Sequence, residues 1–571
     1  MSEQFDNNEM LENVTPENEN AEEAAINTDA VDESPEASAE AAPEKPKKKA
    51  KLMLPILIAA AAILVAVIII IGVAIYNVFS KPDPDVQNLF NEKLLCVKDG
   101  DKWGYVNKRG KCVIKAKYDK AYNFTENGLA RVGQYNEEDG VFYYGFINKK
   151  GDTVVKAKYM YATDFYECGL AAVVDEDGEW GVIDAKGELV VKCKYEKIFI
   201  YDSGVIIAET SKGKVFLVDK KGEDISEKYE KIDWYEEAEI GVVYDDDEVG
   251  IINAKGKEIL ELTDDYDAIS NFNENGIGLY WEDDYYGIIN SKGKVITKAD
   301  YEYIFGFNKN NLAVFVNEDD EYGILNSKGK VIVEAGKYGD IEQIEDGWFM
   351  AVDEDEETAY ILNERGKEVF SFEEDGDWYM INDFADNGLA PVVDEDEYIG
   401  FINRKGKLVI DCDYYDANSF SSCGLARVIK EEGDEFTFIN ERGKVVGDSY
   451  VYATDYFDDG YAVVAEVDGS EIIYKIINEK GRVVCELDCD DVLLPTGKGV
   501  LSEAIKYVVE CDDFDKKEFL FNYIEENMDE DDIGVGFDNV TEYAEFIIKY
   551  LDDDGIDRMI ISIVNGDNYL G

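Results

Sequence analysis

One short pattern constrains this chain more than any other feature: an aliphatic pair, then Asn or Asp, two residues and a Gly, recurring eleven times between Gly104 and Gly481. The first copies read Gly104 to Gly110 (GYVNKRG), Gly145 to Gly151 (GFINKKG) and Gly181 to Gly187 (GVIDAKG). Later copies end at Gly222, Gly256, Gly293, Gly329, Gly366, Gly406, Gly443 and Gly481, so the period varies between 34 and 41 residues. A period of that length marks supersecondary units that cannot bury a core alone and must stack on their neighbours.

Within a unit three apolar runs of strand length alternate with turns, as in GLAPVV, YIGFIN and KLVIDCDYYDANSF between Gly388 and Phe420. The Asn-x-Lys-Gly turn between the second and third runs fits a type I turn closed by a left-handed Gly, the G1-bulge hairpin. A segment after the last run, such as Tyr118 to Phe124 or Tyr195 to Phe199, has the length of a short further strand. The expected fold class is therefore an all-β repeat array of antiparallel three- to four-stranded units, propeller-like or an open β-superhelix. Because eleven units exceed the roughly 4 to 8 blades of a usual closed ring, two rings or an open superhelix are expected to accommodate them.

The other turn of each unit is acidic: Asp175 to Gly178, Asp245 to Glu248, Glu282 to Asp284, Glu318 to Glu321, Asp353 to Glu357 and Asp394 to Glu397. Successive hairpin turns lie at opposite ends of an antiparallel sheet. One edge of the array should be a carboxylate rim and the other a Lys-bearing rim. Asp175, Asp177, Asp245, Asp247, Asp394 and Asp396 are the candidate cation ligands, and weak calcium binding is the one cofactor reading they support. No loop has the ligand spacing of an EF-hand, and Asp512 to Asp515 and Asp552 to Gly555 read as a helix N-terminus and a solvated helix end.

From Leu52 to Phe79 the chain carries no charged residue, and about 20 apolar residues suffice to cross a bilayer as a helix. Lys45, Lys47, Lys48, Lys49 and Lys51 precede this run, while Lys81, Asp83 and Asp85 follow it. The positive-inside bias then leaves the N-terminus in the cytoplasm and the repeats outside the cell, on a single-pass, uncleaved anchor. Met1 to Glu44 holds fourteen acids and no Lys or Arg, a composition that cannot bury enough apolar surface to fold. The expected organisation is an acidic cytoplasmic tail with a Lys-rich flank (1–51), a transmembrane helix (52–79), a linker (80–91), the array (92–495) and a small helix-containing region (496–571). Helical spacing in the last of these appears over Lys516 to Met528 and Val540 to Leu551.

A net charge of −69 argues against a nucleic-acid partner, whose phosphates require clustered bases. The chain has no His, the side chain most used for acid-base catalysis near neutrality. Its nine Cys (Cys96, Cys112, Cys168, Cys193, Cys412, Cys423, Cys485, Cys489, Cys511) hold no fixed place in the repeat, and read as reduced core residues rather than a disulfide framework or a zinc site.

Trp103-Gly104, Trp180-Gly181 and their variants Tyr144-Gly145, Tyr286-Gly287, Tyr322-Gly323 and Val249-Gly250, each followed by the Asn-x-x-Gly turn, resemble the WG-repeat family of bacterial proteins. The resemblance covers Glu92 to Pro495 and implies a non-catalytic envelope protein; the family supplies no catalytic residues to carry over. Phe216, Tyr360, Thr437 and Lys475 stand where other copies have the leading Gly, which points to a packing role for that Gly. A weaker similarity to Trp-rich hairpin repeats that bind cell-wall polymers suggests glycan binding by analogy. The leading functional expectation is a membrane-anchored, surface-displayed binding or scaffold protein, held to lipid by one helix, whose ligand is a protein or a cell-envelope polymer. The alternatives are a cell-wall glycan or calcium-binding envelope protein, and a carboxylate-based glycoside hydrolase.

Overall fold

A computed structural model describes residues 88–344, 347–353, 358–373, 378–380, 384–511, 514–527, 539–551 and 553–565. The expected acidic tail and transmembrane helix lie outside these residues. Among the described residues no helix is long and apolar enough to cross a membrane.

Each repeat builds one antiparallel sheet, and eleven such sheets follow one another along the chain. The second is representative: Lys120–Ala121, Leu129–Asn136, Val141–Asn148 and Thr153–Tyr159 pair in sequence order. The short segment expected as a further strand is thus the first strand of the next blade. The middle strands are sandwiched between neighbouring blades and so read as near-continuous apolar runs, as in Leu170–Val174, where all five residues are buried. The fourth strand lies at a sheet edge and alternates, with Val155 and Tyr159 buried and Thr153 and Lys156 exposed.

The first blade has no first strand of its own. Asp491–Val492, at the far end of the array, supplies it: Val97 pairs with Val492 and Lys98 with Asp491. Leu95, Val97 and Val106 of the first blade share one apolar cluster with Tyr474 and Ile476 of the last. The eleven blades therefore close into a single β-propeller, and the expected pair of rings or open superhelix is corrected. The period counts units, but the rotation from one unit to the next is set by packing between blades, which a period does not encode.

That packing centres on the Asn-x-x-Gly turn. In the first blade Gly110 N–H donates to the Asn107 carbonyl (2.8 Å) and Asn107 N–H to the Lys111 carbonyl (3.0 Å). The Asn107 Oδ1 accepts from the N–H groups of Arg109 and Lys111, and Gly110 has φ +67°, the expected bulged hairpin. The Gly does a second job as well, because it abuts the preceding blade. An added Cβ would lie 2.5 Å from Val155 at Gly187, 2.5 Å from Phe370 at Gly406, and 2.0 Å from the Ile225 carbonyl oxygen at Gly256. Gly110 makes the same approach to Cys485 and Glu486 of the eleventh blade, so the contact passes across the closure.

The leading Gly has its own cause. In the first blade Trp103 pairs with Tyr118 but Tyr105 with Ile114, so the fourth strand arches over Gly104. A Cβ there would sit 2.5 Å from the Ala116 backbone N, and one on Gly145 would sit 2.5 Å from the Val155 carbonyl oxygen. Where the Gly is absent the arch is absent too. Tyr360 pairs with Ser371 and Lys475 with Glu486, and the register stays continuous to Ile361–Phe370 and Ile476–Cys485, shifting only at the bulge beside the turn. Beside Phe216 and Thr437 the fourth segment makes only isolated bridges, at Val215–Tyr229 and Phe436–Tyr450.

Among the described residues beyond the array lie four helices where two were expected: α1 (Val500–Val508), α2 (Lys516–Asn527), α3 (Val540–Tyr550) and α4 (Asp553–Asn565). The first lacks a local side-chain cap; the Asp491 carboxylate caps it instead, accepting from Leu501 N–H at 2.8 Å. A helix whose cap lies ten residues upstream on a strand carries no start signal of the usual kind. The helices share the core of the last two blades, with the Phe436 and Tyr507 rings 4.9 Å apart and Tyr452 OH donating to Glu503 at 2.8 Å.

Two expectations follow for urea or thermal unfolding. Gly145→Ala should lose about 1–3 kcal/mol by forcing a methyl against backbone, whereas Thr437→Ala, where no arch exists, should change stability by less than about 1 kcal/mol. Gly406→Val should cost at least about 1–3 kcal/mol from positive φ alone, with the Phe370 clash added, while Lys405→Ala stays near neutral. Equal losses within either pair would refute the corresponding geometry.

Candidate functional site

Leu129 pairs with Asn148, so the turn that precedes the second strand and the Asn-x-x-Gly turn that follows the third emerge at the same end of a blade. Repeated around the ring, this places eleven Asn/Asp-x-(Lys/Arg)-Gly turns on one face. The third turn position is basic in every blade: Arg109, Lys150, Lys186, Lys221, Lys255, Lys292, Lys328, Arg365, Lys405, Arg442 and Lys480, all exposed. Their backbone N–H groups are held by the first turn residue, as Lys150 by Asn148 Oδ1 at 2.9 Å and Lys255 by Asn253 Oδ1 at 2.9 Å. Within the described residues, Arg365 alone among them is in an ion pair, a 3.9 Å contact with Glu364.

The same face carries acids on the other turn, which a simple Lys rim does not include. Those carboxylates stitch blades together. Glu167 N–H donates to Asp202 (2.9 Å), Ser203 N–H to Glu236 (2.7 Å), and the N–H groups of Leu89 and Phe90 both reach Asp459 (3.3 Å). Glu92 pairs with Lys149, and Asp459 also takes Lys108 at 3.3 Å. Behind them the half-buried Arg131 donates to the Ala162 carbonyl (2.7 Å) and Asp164 (3.1 Å) and stacks 3.6 Å over Tyr122. Arg427 repeats this role with the Ala453 carbonyl at 2.6 Å. The shared Gly-Leu-Ala-Arg-Val of both copies is the sequence signal that could have revealed these clamps.

The acidic turns occupy the opposite end. The Asp175 Oδ1 accepts from the N–H groups of Asp177 and Glu179 (3.1 and 3.0 Å), and Asp394 does the same for Asp396 and Tyr398 (3.1 and 2.8 Å). These residues lock the turn as Asn107 does in the basic turns. Asp245 takes Lys214 Nζ at 2.5 Å, while Asp177, Asp247 and Asp396 are exposed. The six candidates stand singly or paired on three different blades, and no group of three potential ligands assembles among the described residues.

At the closure seam a cavity of about 410 Å³ opens between the first blade and the helices, lined by Lys98, Asp101, Trp103, Asp119, Asp491 and Tyr523. Sequence reasoning did not find it, because its walls come from both ends of the array. Asp491 accepts from Val492 N–H (2.7 Å) and Leu501 N–H (2.8 Å), yet burial outweighs these bonds and pushes its carboxyl up to about 6.

Seven stretches match the WG containing repeat family: residues 103–137, 144–178, 180–214, 250–281, 286–319, 322–355 and 399–432. This chain is a WG-containing repeat protein. Each WG stretch starts on the third strand of one blade and runs through the second strand of the next, so the sequence repeat straddles the blade boundary. The seven begin in the blades whose third strand carries the leading Gly; the blades with Phe216, Tyr360, Thr437 and Lys475 begin none of them.

No curated protein matches this WG-repeat chain. Among solved structures it is similar to one titled a eukaryotic initiation factor (9% identity, TM-score 0.31, covering 63% of this chain and 96% of that one). It is also similar to Hsv2 of Kluyveromyces lactis (12%, TM-score 0.23, 50% and 97%) and to the C-terminal WD40 domain of Sif2 (10%, TM-score 0.20, 61% and 97%).

The seam yields a pH expectation. A carboxyl whose folded pKa is raised favours folding when protonated; that contribution is complete below about 4 and is lost as pH rises through about 6. Asp491→Asn keeps an acceptor for both N–H groups and cannot ionise. It should therefore be more stable than the wild type at pH 7.5 by roughly 2 kcal/mol, with the gap closing by pH 4, as read from paired melting curves. A gap that does not change with pH would show that Asp491 does not titrate in this window.

Proposed function

We propose that this protein is a membrane-anchored, non-catalytic binding or scaffold module that presents the eleven-bladed ring outside the cell. The observation that carries this reading is the repetition of its surface chemistry. The polar groups on both faces recur blade after blade, with Lys or Arg at one turn position in all eleven units, whereas catalysis needs a convergent set of unlike groups at one place. A broad surface of equivalent positions suits an extended partner that is held by many weak contacts. Anchoring and orientation are supported by the uncharged run from Leu52 to Phe79 and by the five lysines between Lys45 and Lys51.

The topology has a direct test. Protease added to intact cells should digest the ring and spare an epitope on the N-terminal tail, as read by immunoblot with and without permeabilisation. A protected ring beside a cleaved tail would reverse the orientation, and a chain recovered wholly in the soluble fraction would remove the anchor.

A further inference from the structure

The ring of cations has a geometry that its role in the turns does not require. Asn Oδ1 and backbone groups build each turn, so the third side chain is free to vary, yet it is basic in all eleven blades and points into solvent. These charges sit at one end of strands of 4 to 8 residues. At about 3.3 Å per residue that puts them roughly 13 to 26 Å from the acidic turns. Screening at physiological ionic strength acts over about 8 Å, so the acidic end hardly weakens the field at the basic end. Of the acids that share the basic face, Asp202, Glu236, Asp459 and Glu92 are engaged by backbone N–H groups or a lysine, while Glu126, Glu364, Glu441 and Glu479 stand exposed among the more numerous cations of the turns.

The chain also enters the ring at this face. Leu89 and Phe90 lead into the Phe90–Lys93 turn beside the Asn107 turn, and are fixed there by Asp459. In the sequence, residues 80–88 alone separate this point from the apolar run ending at Phe79. We infer that the face bearing the eleven turn cations docks on anionic lipid headgroups of the membrane that holds the chain. This rests on the anchoring reading above. A planar ring of point charges matches a planar array of phosphates, and each Lys or Arg gains most when it lies within a Debye length of the surface. The acidic face is then turned away from the bilayer and toward whatever the module binds.

The test uses the full chain in nanodiscs of phosphatidylcholine alone or of phosphatidylcholine mixed with phosphatidylglycerol, with lysine acetylation read by mass spectrometry. In the anionic discs Lys150, Lys255, Lys328 and Lys405 should react roughly fivefold more slowly than in neutral discs. High salt should abolish the difference, and Lys212, on the opposite face, should not change. The triple variant Lys255→Glu, Lys292→Glu, Lys328→Glu leaves the turn hydrogen bonds in place and should lose the protection at the remaining turn lysines. Equal labelling in both discs overturns the inference, and so does equal protection in both, which would assign the face to a second copy or another protein. Co-elution with the discs reports insertion separately. If the chain does not insert, the anchor reading fails, and salt-sensitive sedimentation of the same chain with phosphatidylglycerol vesicles, present in the wild type and lost in the triple variant, decides the docking; no sedimentation overturns it.

Discussion

The contact on which the ring depends is the approach of each Asn-x-x-Gly turn to the fourth strand of the blade before it. At Gly187, Gly256 and Gly406 the turn lies so close that even a methyl would collide with Val155, Ile225 or Phe370. The same few atoms supply the positive φ that reverses the chain and the bare surface that lets the next blade come near. Because Gly110 makes this approach to the eleventh blade, the interaction that joins neighbours also joins the ends. The strand lent by Asp491–Val492 then ties the ring shut with backbone hydrogen bonds.

The leading Gly belongs to a different constraint, and its substitutions show how local that constraint is. The arch of the fourth strand over Gly104, Gly145 and Gly181 needs a residue with no side chain, because backbone atoms of the arch occupy the place of a Cβ. Blades whose third and fourth strands pair without the arch, or hardly pair, accept Tyr360, Lys475, Phe216 or Thr437 without loss of the blade itself. Each blade keeps its two central strands, which carry the inter-blade core, while the edge is free to differ. Stability in such an array is distributed over many neighbour contacts, and a departure at one edge stays at that edge.

Charge is sorted along the same lines. A chain with a net charge of −69 carries acids on exposed turns at one end, and uses some of those at the other end, such as Asp202, Glu236 and Asp459, as hydrogen-bond acceptors between blades. The first Asp of an acidic turn, such as Asp175 or Asp394, is a turn lock with its carboxylate engaged by backbone. The two faces of the propeller therefore differ in chemistry although they are built from the same hairpins.

Periodicity, hairpin chemistry and face polarity were all legible in the sequence because each is local. A left-handed Gly after Asn-x-Lys is written in four residues, and the strand-to-turn alternation fixes which end of a sheet a turn occupies. The number of units was legible for the same reason. Closure was not, since it depends on the angle between blades and on residues 491 and 492 meeting residues 97 and 98. Asp491 shows the limit most plainly. In the sequence it is one acid among Asp488, Asp490 and Asp491; in the fold it is a first-strand residue, the cap of α1 and a wall of the seam cavity, with its carboxyl raised by burial. Local pattern determines what each unit is, whereas contacts between residues hundreds of positions apart decide how many units make a ring and which groups meet at its seam.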